Sequence, residues 1–400
     1  MHPMPQSYLP SLPILCTIFG VQMCLKKVAL GINKLLRCVF WGLQRDLPLI
    51  KPFHLRDVVS LAKLQNQGET LDLEERLVHP RSPLSVALLA SVLPTKSTTS
   101  TFILDFADEQ EHYRGSIQTR RRAGRPEQDV VFLAPLLEHK NGNHAVCQRL
   151  LTHVCVKAGE QGDHRIYARL EVGRDEVQVF KNVGFSAYAE EEIFCLTPDR
   201  FPPDPRDTLG LRRQTTADSW SLQRLYAAVT PHVVQVAEGL AQGQWQINNH
   251  RLSDQGRRLG YVWEREGEIL AVLHLRSGRA GYSLRMLLHP DVANQVESLI
   301  QTGLSLVGNL QRQPDKPVYS SSRTYQTELG SVLMTCDFQK LATQVVMVKH
   351  TTVRARDFLS RLVAAFETPG EVKPAPAPFM KSEAVSTQPV NGKSTADKMV

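Results

Sequence analysis

The middle of this 400-residue chain is written twice. Leu49–Leu64 (LIKPFHLRDVVSLAKL) returns as Gly210–Leu225 (GLRRQTTADSWSLQRL), which sets Asp57 against Asp218, Leu61 against Leu222 and Leu64 against Leu225 at an offset of 161. Arg114–Arg120 (RGSIQTR) returns as Leu270–Arg276 (LAVLHLR) at an offset of 156, and Val179–Phe185 (VFKNVGF) as Val332–Phe338 (VLMTCDF) at 153. The landmarks keep their order while the offset shrinks, as happens when one copy loses a few loop residues. A chain of this kind is expected to fold as two similar units, and its length suits two or three domains of ~100–200 residues.

The charge is unevenly placed. Of the formal +7, residues 1–45 supply five basic residues (Lys26, Lys27, Lys34, Arg37 and Arg45) and no acid, and residues 367–400 hold four Lys and four acids. About +2 is left for the part that folds, so the basic isoelectric point describes the N-terminal extension. A nucleic-acid binder needs its basic residues clustered on the domain itself. The seven cysteines form no CxxC pair and have no His at zinc spacing. Most sit in apolar runs, where a free Cys behaves as a small hydrophobe; this favours a reducing, cytoplasmic setting over a disulfide framework. Five histidines, His112, His139, His144, His153 and His164, lack ligand spacing, and no metal is expected. P-loop, GxSxG and HExxH motifs are absent.

Residues 1–46 form an apolar and basic extension. Residues 1–25 carry no charged side chain, but Pro10 and Pro13 leave an apolar run shorter than the ~20 residues of a spanning helix. Positive charge follows the run, the reverse of a secretory signal. Val28–Leu43 mixes apolar residues with Lys34 and Arg37, which suits a helix lying on a membrane surface. Three readings stand side by side: membrane contact through residues 1–45, a separately packed or poorly ordered arm, and residues upstream of the natural start.

The first unit is assigned to residues 47–197. A strand is expected at Leu49–His54, then helices at Val58–Gln65, with the Asp57 carboxylate on its first-turn N–H groups, and at Leu84–Leu93, opened by Pro83. Phe102–Ala107, Tyr113–Arg120 and Asp129–Ala134 read as antiparallel strands joined at Asp108–Glu111 and Arg121–Glu127. The helix Val146–Ala158, the strand Ile166–Leu170, the helix Asp175–Val183 and the strand Tyr188–Leu196 follow. A stiff linker, residues 198–208, holds Pro202, Pro203 and Pro205. The second unit, 209–366, repeats the order with a helix at Ser219–Val229, strands at Gly260–Glu264, Ile269–Leu275 and Ser283–Leu288, and a helix at Val292–Leu306. It continues with the strand Val318–Ser322, the helix Glu328–Cys336, the strand Gln344–Lys349 and a last helix, Arg354–Phe366. The tail, 367–400, is rich in Pro, Ala, Ser and Lys and is expected to be disordered.

This order, with VFKNVGF before a last strand, resembles the GNAT (GCN5-related N-acetyltransferase) family of acyl-CoA-dependent acyltransferases over roughly 300 residues. The resemblance implies an α+β fold of two tandem GNAT-like domains, each a mixed, mostly antiparallel twisted sheet flanked by helices. It implies acetyl-CoA as co-substrate, with no metal, and a small-molecule or peptide amine as acceptor. Acyl-CoA then lies where two parallel strands splay, Asp129–Ala134 beside Ile166–Leu170 in the first unit and Ser283–Leu288 beside Val318–Ser322 in the second. Its pyrophosphate meets the unpaired donors of the next helix N-terminus.

The family's phosphate motif, Gln/Arg-x-x-Gly-x-Gly/Ala, has its nearest match in His139–His144 (HKNGNH), with Gly142 as the first glycine. The resemblance thus carries cofactor binding to Leu133, Ala134, Gly142, Asn143, His144 and Ala145. Gly142 also reads as a plain loop glycine within Asn141-Gly142-Asn143. In the second unit HPDVANQ, residues 289–295, has no glycine. Many family members place an acidic Tyr four residues before Gly-Phe to protonate the leaving thiolate; Phe180 and Leu333 stand there instead. Tyr188 and Glu191 are the replacement acid and base candidates, Glu191 turned by strand alternation away from Glu190 and Glu192. Tyr167, Tyr319 and Tyr325 also read as packed aromatics, and the glutamates as a solvated edge. Arg120, Arg121, Arg122 and Arg125 lie at a hairpin tip, facing either phosphates or solvent. Two functions follow: an acyl-CoA-dependent N-acyltransferase with the first unit as the cofactor-binding one, or a catalytically inactive binding or scaffolding protein of the same fold.

Overall fold

One twisted sheet runs through both repeats, and the two copies exchange their last strands to build it. In the computed structural model the described residues are 49–93, 98–107, 112–202, 209–239, 245, 257–310 and 316–351. The expectations for residues 1–46, the joint Asp108–Glu111, the helix Arg354–Phe366 and the tail lie outside them.

The first copy supplies β1 (Leu49–Pro52), α1 (Val58–Leu64), β2 (Glu69–Thr70), α2 (Leu73–Val78), α3 (Pro83–Val92), β3 (Thr99–Ala107), β4 (His112–Arg121) and β5 (Glu127–Ala134). It goes on with α4 (His144–Glu160), β6 (Arg165–Glu171), α5 (Glu176–Asn182) and β7 (Ser186–Leu196). The second supplies β8 (Arg212–Arg213), α6 (Ser219–Val229), α7 (His232–Ala237), β9 (Arg257–Arg265), β10 (Glu268–Ser277) and β11 (Tyr282–Leu288). Its remaining elements are α8 (Val296–Leu310), β12 (Val318–Arg323), α9 (Thr327–Thr335) and β13 (Gln339–His350). Every expected element in the described range forms, with ends moved by a few residues. The short β2, α2, β8 and α7 were not expected.

The strands lie in the order β1-β3-β4-β5-β6-β13-β7-β12-β11-β10-β9-β8, with β2 beside β5. Matched to its counterpart in the other copy, each strand occupies the mirror position in this row. The centre is the long antiparallel pair β7–β13, from Gln339 opposite Cys195 to Val348 opposite Ser186. Thus β13 of the second copy pairs with β6 of the first, and β7 of the first with β12 of the second. The cores follow this exchange. Val345 and Met347 of β13 pack into the first core, among Ile117, Leu133, Leu150 and Phe180. Phe194 and Leu196 of β7 complete the second, with Leu284, Leu299 and Leu304.

Local chemistry repeats as well. Lys51 pairs with Asp57 at 2.7 Å, and Arg212 with Asp218 at 2.8 Å. Each aspartate closes a capping box around a short 3-10 turn. The Asp57 carboxylate therefore accepts from the His54 N–H at 3.0 Å and does not cap the first turn of α1 as expected. At the close of α5 and α9, Phe185 N–H donates to Phe180 and Phe338 N–H to Leu333, across Gly184 (φ 95°) and Asp337 (φ 65°). The left-handed turn favours glycine, and the second copy makes it with an aspartate.

Candidate functional site

The parting that the sequence points to is present in both copies, but in the first it is filled by the chain itself. Strands β5 and β6 run parallel and pair at Glu127–Arg165, Gln128–Ile166 and Asp129–Tyr167. Beyond Asp129 the pairing ends and β2 takes the free side of β5, Glu69 opposite Leu133 and Thr70 opposite Phe132. The Leu71 N–H donates to the Val131 carbonyl at 3.0 Å, and the Leu136 N–H to Gln67 at 2.9 Å. Only glycine fits at position 68: a Cβ there would stand 2.3 Å from both the Ala134 Cβ and the Leu133 carbonyl oxygen. Leu133 and Ala134, assigned to the cofactor from sequence, are thus held against Gly68 and Glu69.

The loop after β5 is equally self-contained. The buried Glu176 carboxylate accepts from the Leu137 N–H at 2.6 Å. Gly142 N–H donates to the His139 carbonyl at 2.6 Å, and Asn141 N–H to His139 Nδ1 at 3.3 Å. At the start of α4 the Asn143 side chain accepts from the Ala145 N–H at 2.8 Å and from Val146 at 3.4 Å. An N-cap of this kind uses the donors that an anion would otherwise meet. Gly142 is required by its own loop, since a Cβ would lie 2.4 Å from the carbonyl oxygens of Leu136 and Leu137. Of the sequence-assigned cofactor residues, His144 and Ala145 are exposed, at the first two positions of α4.

The second parting differs. Strands β11 and β12 pair from Tyr282–Val318 to Arg285–Ser321 and then separate. In the first copy eight residues join α1 to α2 and include β2; in the second only Thr230 and Pro231 join α6 to α7, too few to form such a strand. Its loop has lost the phosphate geometry: Pro290–Gln295 is a 3-10 helix running straight into α8, and His289 Nδ1 accepts from the Asp291 N–H at 3.3 Å.

The acid and base candidates sit in a buried ionic layer. Glu191 accepts from the Gln344 side chain at 2.9 Å and lies 3.4 Å from Arg169. Burial alone would raise its pKa, but Arg285, Arg169 and Arg323 hold it at about 2. It is a fixed counter-ion, neither a base near neutrality nor part of a solvated edge. The Tyr188 hydroxyl donates to Glu238 at 3.3 Å; burial and that carboxylate raise its pKa. Tyr167 donates to the Ala237 carbonyl at 3.1 Å under the Arg122 guanidinium. Phe180 is buried against Phe185.

The arginines of the hairpin tip are ion-paired, and Arg121 is exposed to solvent as well. Arg121 binds Asp163 at 2.7 Å, Arg122 binds Asp129 at 2.6 Å, and Arg125 lies 3.7 Å from Glu127. Among the described residues no group of His, Cys, Asp and Glu is arranged to hold a metal.

Helix α2 is the hub that sequence reading missed. The Asp72 carboxylate caps it on the Glu75 N–H at 3.2 Å and lies 3.3 Å from Arg169. Glu74 accepts from Ser283 at 2.5 Å and from Arg285 Nε at 2.7 Å. Glu75 meets Arg120 at 3.3 Å and Arg276 at 2.8 Å, the same arginine of the two repeats. Strands β4 and β10 stand seven steps apart in the sheet order. At ~4.8 Å a step they would be some ~34 Å apart if the sheet were flat. One carboxylate reaches both because the sheet curves around α2.

No protein-family model and no curated protein matches the sequence. Solved structures similar to the chain include a GCN5-related N-acetyltransferase from Sphaerobacter thermophilus, at 12% identity over 76% of this chain and 95% of that one, with a TM-score of 0.45. A tandem GNAT protein from the clavulanic acid biosynthesis pathway has 13% identity over 76% and 98% of the two chains, with a TM-score of 0.42. A GNAT-family acetyltransferase from Colwellia psychrerythraea has 11% identity over 76% and 100%, with a TM-score of 0.36.

Proposed function

We propose that this chain is a tandem GNAT-fold protein that does not transfer acyl groups and serves as a binding or scaffolding module. The observation that supports this reading is the pairing of Glu69–Thr70 with Leu133–Phe132 inside the first parting, with Gly68 too close to β5 for any side chain. A cofactor lying along β5 would have to displace β2. That strand continues into α2, whose carboxylates are bound to both copies. The self-bonded loop and the ion-paired Glu191 support the same reading, since acyl transfer needs a phosphate seat and a group able to move a proton.

A second reading, transfer from acetyl-CoA to a small-molecule or peptide amine, is favoured by one observation: no strand enters the second parting, beyond Arg285 and Ser321, among the described residues. Thermal unfolding with millimolar acetyl-CoA separates the two. A ligand at 100 times its dissociation constant stabilises a fold by about 2.7 kcal/mol. The non-catalytic reading expects an unchanged Tm and no free CoA thiol released with a panel of amines. A saturable rise in Tm overturns it. Amide exchange protection would then show whether β11–β12 or β5–β6 holds the cofactor.

A further inference from the structure

Beside β2, where α2 turns toward α3, the first copy forms a small, partly open cavity of about 40 Å³. Its polar lining includes Glu75, His79, Arg81, Gln118 and Arg120. This is more than the ~10–15 Å³ that one water needs. We propose that this cavity binds a small oxyanion, a phosphate or carboxylate group, held by Arg81 and Arg120 with His79.

Three features carry the assignment. Guanidinium groups converge here from three elements: Arg120 from β4 at 3.3 Å from Glu75, Arg276 from β10 at 2.8 Å, and Arg81 from the α2–α3 turn at 3.8 Å. Glu75 is the one carboxylate among the residues lining the cavity. Next, His79 Nδ1 is buried with no hydrogen-bond partner. Burial, then Arg81 and Arg276, lower the pKa of this ring. A neutral imidazole carrying its proton on Nδ1 donates one hydrogen bond, and an unmet buried donor is costly. An anionic oxygen in the cavity meets that need. Finally, further positive charge lies close by: burial, then Arg276 and Arg285, push Arg258 down to about 10. Planar guanidinium groups suit the flat or tetrahedral edge of such an anion.

This cavity adjoins the filled parting and shares Thr70 and Phe132 with it, so the test is run without acetyl-CoA and reads the anion alone. The test uses the full chain in inorganic phosphate, and separately in acetate, against chloride at matched ionic strength. A saturable rise in Tm of several degrees is expected for at least one of the two, and which one responds tells phosphate from carboxylate. Arg81→Gln should abolish the rise, while the exposed-strand control Arg213→Gln should retain it. Calorimetric titration of the unaltered chain gives the same answer should Arg81→Gln fail to fold. Equal effects of phosphate, acetate and chloride overturn the site, as does an unchanged response in a folded Arg81→Gln protein.

Discussion

At the scale of single residues, buried charge is the dominant feature, and Glu75 is its most connected member. Burial alone would raise the pKa of its carboxyl, but Arg120 and Arg276 pull it down to about 2, below its ordinary 4.5. The folded chain therefore keeps Glu75 ionised where the unfolded chain protonates it. Its stabilising contribution is complete above about pH 4.5 and is lost as pH falls toward 2. Glu191 behaves alike, at about 2. Urea midpoints should drop between pH 5 and 3, more steeply than for Glu75→Gln. That variant should also lose about 3–5 kcal/mol near neutrality, because three guanidinium groups are left facing a neutral amide. Parallel pH profiles for the two proteins would show that Glu75 is not the linked group. None of this was legible in sequence. Arg120 looks like a member of a hairpin-tip cluster, and nothing local announces that its partner lies 45 residues earlier on a helix of six residues.

At the scale of elements, sequence legibility divides by length. The helices α4 and α8 bury residues three and four apart, such as Cys147, Leu150, Leu151 and Val154, and their periodicity marks them plainly. Strand β2 has two residues and α2 has six, too few for any period, and α2 buries acids on the face a helix usually keeps apolar. Yet these two elements decide the candidate site. The resemblance led to β5 and β6, which do part beyond Asp129. It gave no sign that residues 67–72 occupy the gap, since tertiary pairing against Leu133 is what makes a strand of Glu69–Thr70. Gly68 is the test of that plug. Gly68→Ala drives a methyl group into Ala134 and the Leu133 carbonyl, and strand separation is the only relief. A loss of about 1–3 kcal/mol in chemical denaturation is expected. A neutral substitution would mean that β2 is loosely held and the first parting can open.

At the scale of the whole molecule, the sequence repeat is a symmetry of the sheet. Duplicated landmarks point to two separate domains of the same fold. The structure instead interleaves them, because β7 and β13 pair with each other and each completes the other copy's core. A crossing of this kind is invisible to periodicity: β13 has the same alternation whichever β6-like strand it joins. It has a consequence for the parts. A chain ending after Phe201 keeps β1 to β7 but lacks Val345 and Met347 from its core, and β6 has lost its neighbour. Two unpaired edges and an open apolar face favour pairing with an identical chain. The β7 of a second copy fits the seat of β13, since β7 and β13 hold equivalent places and run antiparallel. The truncated chain should therefore elute as a dimer in light-scattering chromatography, with the full-length chain reproducing the same centre within one molecule. A truncated chain that stays monomeric and unfolds cooperatively would show that the first copy completes its own core, and that the exchange is not required for folding.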